Sequence, residues 1–512
     1  MKKIAIACLF IITNLSVFCQ QKVIVITSLG ANGDGKTDNT QIIQKAIDDA
    51  SAGGGGQVII PAGRFLTGVI HIKSNVGIKL DDDAVLLGSA KRADYGPSDA
   101  SALIDAVNVH NISVTGNGVI DGQGDELIKD IYQMLNAGSL QDSEWKTYNP
   151  WHQMRPEERN RPKLIRFLNC ENVQVKGITI KNGLCWIQDY RNCTNITIDS
   201  IKVESNIFWN NDGIDFVDCK NATVTNSIFN CDDDGICLKS SDRNSRCENI
   251  HIANCTVRSS ASAVKFGTAS VGGFKNITIK DIKVYDTYRS AIAIECVDGG
   301  VLEDIDVRNI KATNTGNAIF VRLGHRNKDS VMSILRNVYI GNITVDVPKT
   351  KPDAGYPMEG PLLYYPHNVF PSSVTGIPGH PVRNVTIENV TLNYTGGADP
   401  HIACFAWDSL TKVPERIDNY PEFSMFGELP AWGFYGRHVE GLQLKNINIS
   451  YKEDDYRPAC IFDDVKGLQL RSVNIPTAKE LPVIIFNNVS NLSMDDVQLP
   501  VDNEKGIRTL KK

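Results

Sequence analysis

From Asn111 onward a short pattern recurs: an asparagine, one residue of any kind, then apolar and polar residues in alternation. It reads Asn111-Ile-Ser-Val, Asn172-Val-Gln-Val, Asn195-Ile-Thr-Ile, Asn221-Ala-Thr-Val, Asn249-Ile-His-Ile and Asn276-Ile-Thr-Ile, with later copies at Asp304, Asn337, Asn384, Gly441, Gly467 and Asn491. Alternation with a period of two predicts strands buried on one side. The copies from 172 to 304 step by 23, 26, 28, 27 and 28 residues, which is the period of a solenoid. A leucine-rich horseshoe has similar repeat lengths. These units, however, are rich in Val, Ile, Thr and Asn, and they alternate twice per unit, as in Asn276-Ile-Thr-Ile-Lys-Asp-Ile-Lys-Val. The pattern therefore predicts an all-β chain, one right-handed parallel β-helix over residues 22–505 with an N-terminal capping helix.

The cap is predicted near residues 40–50. Thr37-Asp38-Asn39-Thr40 offers helix-starting residues before Ile42, Ile43, Ala46 and Ile47, and Gly53 to Gly56 end the run. Gly30-Ala-Asn-Gly-Asp-Gly-Lys-Thr lacks the glycine spacing of a nucleotide loop and reads as a turn. Three repeat intervals are long, and their inserts carry Trp145, Trp151, His152, Tyr364, Tyr365, His367, Trp407 and Trp432. Long loops on one face of a solenoid are expected to wall a binding cleft. The sequons at Asn195, Asn276 and Asn342 arise from the repeat itself.

Composition narrows the setting. The first 19 residues read as a secretory signal, with Lys2 and Lys3 before an apolar run, so export to the periplasm or outside the cell is expected. A lipid anchor at Cys19 is disfavoured by bulky Phe18. No later stretch is long and apolar enough to span a membrane. The 512 residues carry a formal charge of −6, which gives no global attraction to nucleic acid. The cysteines show no metal-binding CxxC pair. Several recur at one place in the repeat (Cys170, Cys193, Cys219, Cys247), as buried stacked thiols would.

Chemistry concentrates between Trp209 and Ser240, where Asp212 and Asp215 occupy one turn-rich segment and Asp232, Asp233 and Asp234 the next. Neighbouring strands lie about 4.8 Å apart, so adjacent rungs would bring these acids together. Asp212, the Asp233-Asp234 pair, Ser262 with Lys265, and Glu295 are expected to form successive rows. Adjacent residues of a regular strand face opposite sides, so Asp233 and Asp234 reach one cleft only at a strand end or bulge, which Gly235 permits. Crowded carboxylates raise one another's proton affinity; one held protonated is a general acid and the others are bases.

The segments GANGDGKTDNT and GGGGQVIIPAGRFLTG resemble the opening of the pectin-degrading, pectin lyase-like β-helix superfamily. RPKLIRFLNCENVQVKGITIKNG, NNDGIDFVDCKN and DDDGICLKS resemble glycoside hydrolase family 28, the polygalacturonase family. The family's Asn-Thr-Asp motif matches Asn210-Asn211-Asp212 and its paired aspartates match Asp233-Asp234. The resemblance implies that Asp233 is the general acid and that Asp212 and Asp234 activate water. It also implies inversion, with acid and base about 6.5 to 9.5 Å apart. The family's Gly-His-Gly aligns with Ala261-Ser262-Ala263 and its Arg-Ile-Lys with Ala293-Ile294-Glu295, so a histidine and two cations are replaced. Rhamnogalacturonan-type members share this trait, which makes such a linkage the expected specificity.

Substrate-binding residues are expected to be Lys239, Lys265, Asn210, Arg289, Glu295 and Arg322, with His325 a further cation. The expected partner is a pectic polysaccharide or oligosaccharide, met by a monomer without cofactor or metal. Two alternatives remain open: a calcium-dependent pectate lyase, which would yield an unsaturated product in a chelator-sensitive reaction, and a non-catalytic carbohydrate-binding β-helix.

Overall fold

The computed structural model describes residues 22–363, 365–402, 406–479 and 482–510. The signal reading of residues 1–19, with Cys19, lies outside the described residues, as does Tyr364. Strands run from Lys22–Val25 to Ile507–Leu510 and join in one continuous sheet wound as a right-handed parallel β-helix, each strand pairing in parallel with its counterpart one coil away. No helix among the described residues is long and apolar enough to cross a membrane.

The repeated asparagine has two jobs. At each copy from Asn111 to Asn276 the backbone is left-handed, with φ between 53° and 58°, a conformation Asn tolerates better than other side chains. Its amide then donates to the same position one coil back: Asn195 to Asn172 at 3.0 Å, Asn221 to Asn195 at 3.1 Å, Asn249 to Asn221 at 3.1 Å and Asn276 to Asn249 at 2.7 Å. The sequons are therefore ladder rungs. The apolar residues that follow stack inward, as in Ile198, Val224, Ile252, Ile279 and Val307, all fully buried and in register. Each such side chain contributes about 1.5–3 kcal/mol of burial. Ten described cysteines are free and buried. Cys193, Cys219 and Cys247 each donate a thiol hydrogen to a carbonyl of the preceding coil, at 3.3, 3.2 and 3.3 Å.

The cap is helix α1 (Thr40–Ala52), which buries Ile43, Ala46, Ile47 and Ala50 against the first coil. Asp38, rather than Asn39, caps it by accepting from the Thr40 N–H at 2.9 Å, while the Asn39 side chain bonds the turn at Asn32. One element lies beyond the expected set. Helix α2 (Gly124–Asn136) opens the first long insert and seats Leu127, Ile131 and Leu135 on the solenoid. Downstream, the insert between residues 397 and 432 lays Leu410, Val413, Phe423, Phe426 and Leu429 over the outer face of the sheet, where they meet Ala293, Phe320, Tyr435, Ile461 and Ile485 in a second apolar core. Trp432 is buried in the main core, 1% exposed, so it walls no cleft.

Candidate active site

Strands Gln188–Arg191, Ile214–Val217, Ile236–Ser240 and Val264–Ser270 are consecutive rungs. Tyr190, Phe216, Leu238 and Phe266 point into the core, so the alternate row of Asp189, Asp215, Cys237 and Lys265 stands on the outer face. Asp212 and Asp234 each precede their strand by one residue beyond a glycine. The Gly213 N–H donates to the Asp234 carbonyl and the Gly235 N–H to the Ser262 carbonyl, both at 2.9 Å, so Asp212, Asp234 and Ser262 share one register. Both glycines are required by close approach: a Cβ on Gly235 would lie 2.3 Å from Val257 Cγ1, and one on Gly213 would lie 2.5 Å from the Gly235 carbonyl oxygen. The turn before Ile236 lets Asp233 and Asp234 face the same cavity.

That cavity has a volume of about 380 Å³ and is lined by Asp212, Asp232, Asp233, Asp234, Lys239, Lys265, Asn210 and Arg289, among others. Two lysines hold its floor. Lys239 Nζ bonds Asp212 at 3.2 Å and also Asp215, and lies 3.0 Å from Cys237 Sγ. Lys265 Nζ bonds Asp234 at 3.0 Å and donates to Tyr420 Oη at 3.0 Å. The Ser262 N–H donates to the other Asp234 oxygen at 3.1 Å. Asp233, half-buried, forms no ion pair among the described residues. Its oxygens accept from the Asp234 N–H at 3.0 Å and the Asn210 amide at 3.2 Å, and Asn210 is itself fixed by Arg161 at 2.9 Å.

The acids differ in their hold on a proton. Burial, and then the charge of Asp215, push Asp212 well above the usual carboxylate range, and one of its oxygens is buried without a partner. Burial raises Asp215 to about 6 against the pull of Lys239. Burial also opposes charge on Asp234, but Lys265, Lys239 and Arg289 outweigh it and hold this carboxylate below its ordinary value. Asp232 is pushed well up by burial and by Asp233. Burial, with like charge second, thus raises the proton affinity of Asp212 and Asp232. Oxygens of Asp212 and Asp234 and the Cys237 sulfur lie within 4.8 Å of one another, close enough to share a metal ion. The two lysine ammonium groups already supply that cluster's positive charge.

Two expected binding residues stand apart from the cavity. Glu295 does not follow Ser262 in register; Ser290 does, through its carbonyl to the Ala263 N–H at 3.0 Å. Glu295 is buried behind Lys265, and burial pushes it up to about 8 with Lys265 opposing. Arg322, beside it on the next rung, donates to the carbonyls of Gly376, Glu415 and Arg416 at 2.7–2.9 Å and so ties down the downstream insert. Of the expected insert aromatics, Trp151 lines the cavity, edge-on to Tyr420 at 5.1 Å and beneath the Arg289 guanidinium at 4.9 Å. Trp186, Tyr420 and Arg155 line it too and were not singled out from sequence. Trp186 gathers Lys163, Lys239 and Arg191 over its ring at 4.2, 4.3 and 5.3 Å. Its place just before a strand of the acidic face was the available signal.

A β-helix whose outer face focuses several carboxylates and two buried lysines on one cleft has the make-up of a carbohydrate-cleaving enzyme. Residues 51–352, more than half of the chain, match the model of the glycosyl hydrolases family 28; the chain belongs to that family and is a glycosidase. It is similar to a probable polygalacturonase of Vitis vinifera, 24% identical over 422 residues, covering 75% of this chain and 77% of that protein. An exopolygalacturonase of Zea mays is 26% identical over 448 residues, with 86% and 87% covered. Among solved structures, a hyperthermoactive exopolygalacturonase from Thermotoga maritima superposes with a TM-score of 0.58 at 20% identity, covering 84% of this chain and 91% of that one, a likeness of fold.

Proposed function

We propose that this chain, working as one β-helix unit from residue 22 onward, is an exported glycosidase that hydrolyses α-galacturonosyl linkages of a pectic polysaccharide with inversion. The observation that carries this reading is the convergence of Asp212, Asp233 and Asp234, in the family's two aspartate motifs, on one cavity. The relatives described as polygalacturonases support the substrate class. In the reaction, Asp233 gives its proton to the glycosidic oxygen as the C1–O bond breaks. Water attacks C1 from the opposite face and loses its proton to Asp212 or Asp234. Lys265 keeps Asp234 ionised.

One observation favours a second assignment: Asp212 is the member of the trio pushed furthest towards its acid form, and it could be the donor instead. Replacement of the Gly-His-Gly and Arg-Ile-Lys motifs supports a rhamnogalacturonan-type linkage over plain homogalacturonan. The test is product analysis on homogalacturonan and both rhamnogalacturonans, with anomeric NMR in the first minutes. New reducing ends of β configuration, formed in chelator as well as with calcium, are expected. An unsaturated, ultraviolet-absorbing product would replace hydrolysis with elimination, and binding without cleavage would leave only a carbohydrate-binding solenoid.

A further inference from the structure

The cavity is lined by six lysines and arginines, and five have acidic partners. Lys239 is bound to Asp212 and Asp215, Lys265 to Asp234, Arg191 to Asp189 and Arg326 to Asp298; Arg289 lies 3.8 Å from Glu422. Arg155 differs. It has no hydrogen-bond or ion-pair partner among the described residues, and its Nε is buried and unsatisfied. A half-buried guanidinium whose Nε has neither water nor partner is costly unless an anion arrives to meet it, and its planar fork matches a carboxylate. In an acidic saccharide that anion is the uronate.

Position supports the same reading. Arg155 lies where two cavities meet: the one described above and a neighbour of about 350 Å³, which share Gln153, Arg155 and Glu158. A saccharide occupying both would run beside Arg155. Burial and then Arg161 disfavour its charge, while Asp233 is the first group to favour it, so Arg155 stands within the field of Asp233.

We propose that Arg155 reads the carboxylate of a uronosyl residue of the substrate bound beside Asp233, supplied by the insert that follows α2 rather than by the sheet. This deepens the reading of the site given above and rests on it. The test compares parent, Arg155→Gln and Arg155→Lys on an oligogalacturonate and on its fully methyl-esterified counterpart. The parent should favour the acid. That preference, as a ratio of kcat/KM values, should fall about 10²-fold in Arg155→Gln, mainly through KM, with Arg155→Lys recovering part of it. A parent without acid preference, or a preference unaltered by Arg155→Gln, overturns the proposal. If the parent cleaves neither of these nor a rhamnogalacturonan, the hydrolase reading fails separately. Calorimetric titration with D-galacturonate and D-galactose then decides: acid-selective binding lost in Arg155→Gln sustains the role of Arg155, and equal behaviour of parent and variant overturns it.

Discussion

The outer face of a single sheet leads two lives. Upstream, the row Asp189, Asp215, Cys237 and Lys265 opens on a charged cavity; downstream, the same register continues as Ala293, Phe320, Ser373, Tyr435, Ile461 and Ile485 beneath an apolar cover. The parallel pairing continues from one to the other. What changes is the side chain at one position per coil, and the insert laid over it. A parallel β-helix thus separates structure from chemistry: the inward row builds the core, and the outward row is free to be either a site or a seam. Arg322 and Arg437 belong to the seam, since both hold the covering insert through Glu415 or its neighbouring carbonyls.

The comparison is broken most severely by Lys265→Met. It leaves Asp234 buried without its cation, which should cost about 3–5 kcal/mol of stability and lower turnover at least about 10²-fold, measurable by denaturant unfolding and initial rates. On the covered side, Phe426→Ala should cost about 3–4 kcal/mol through lost burial and a cavity. Its effect should be on melting rather than on chemistry, so a loss of kcat at unchanged stability would mean that the seam and the site are not separate. Asn221→Ala removes two ladder bonds and leaves a residue with a Cβ but no amide at φ 55°. A loss of about 1–2 kcal/mol is expected.

A pH-dependent effect sits at the border, in Glu295. Its carboxyl ionises near 4.5 when unfolded and at about 8 when folded. Between these values the folded chain binds more protons than the unfolded one, so stability falls as pH rises from 4.5 to 8, and below 4.5 the penalty is absent. Glu295→Gln removes that slope. The variant should melt about 2 °C or more above the parent at pH 8, with the difference shrinking towards pH 4.5; a constant offset across pH would contradict the assignment.

Much of this was legible in the chain. The asparagine repeat announces both the coil length and the left-handed turn, because few other residues combine that backbone with a ladder amide. The stacked cysteines and capping helix follow from periodicity in the same way. Site legibility stopped where register did. Asp212 and Asp234 are separated by one coil and meet, but counting loosely from Ser262 leads to Glu295, whereas the register continues through Ser290. Arg322 looked like a free cation because sequence does not say which carbonyls an insert will present to it. Arg155 was missed for the opposite reason: nothing in the local sequence around an insert arginine distinguishes an unpaired guanidinium from a paired one. Helix α2 was within reach, since Leu127, Ile131 and Leu135 fall at helical spacing.

The most direct test of the account separates the two candidate donors. Asp233→Asn and Asp212→Asn are each assayed on a natural oligosaccharide and on an aryl galacturonide whose phenol is acidic enough to depart without a proton. Asp233→Asn should lose at least about 10² in turnover on the natural substrate and recover most of it on the aryl substrate, while Asp212→Asn stays impaired on both. Recovery by Asp212→Asn, with Asp233→Asn equally slow on both, would contradict the assignment of Asp233 as the acid.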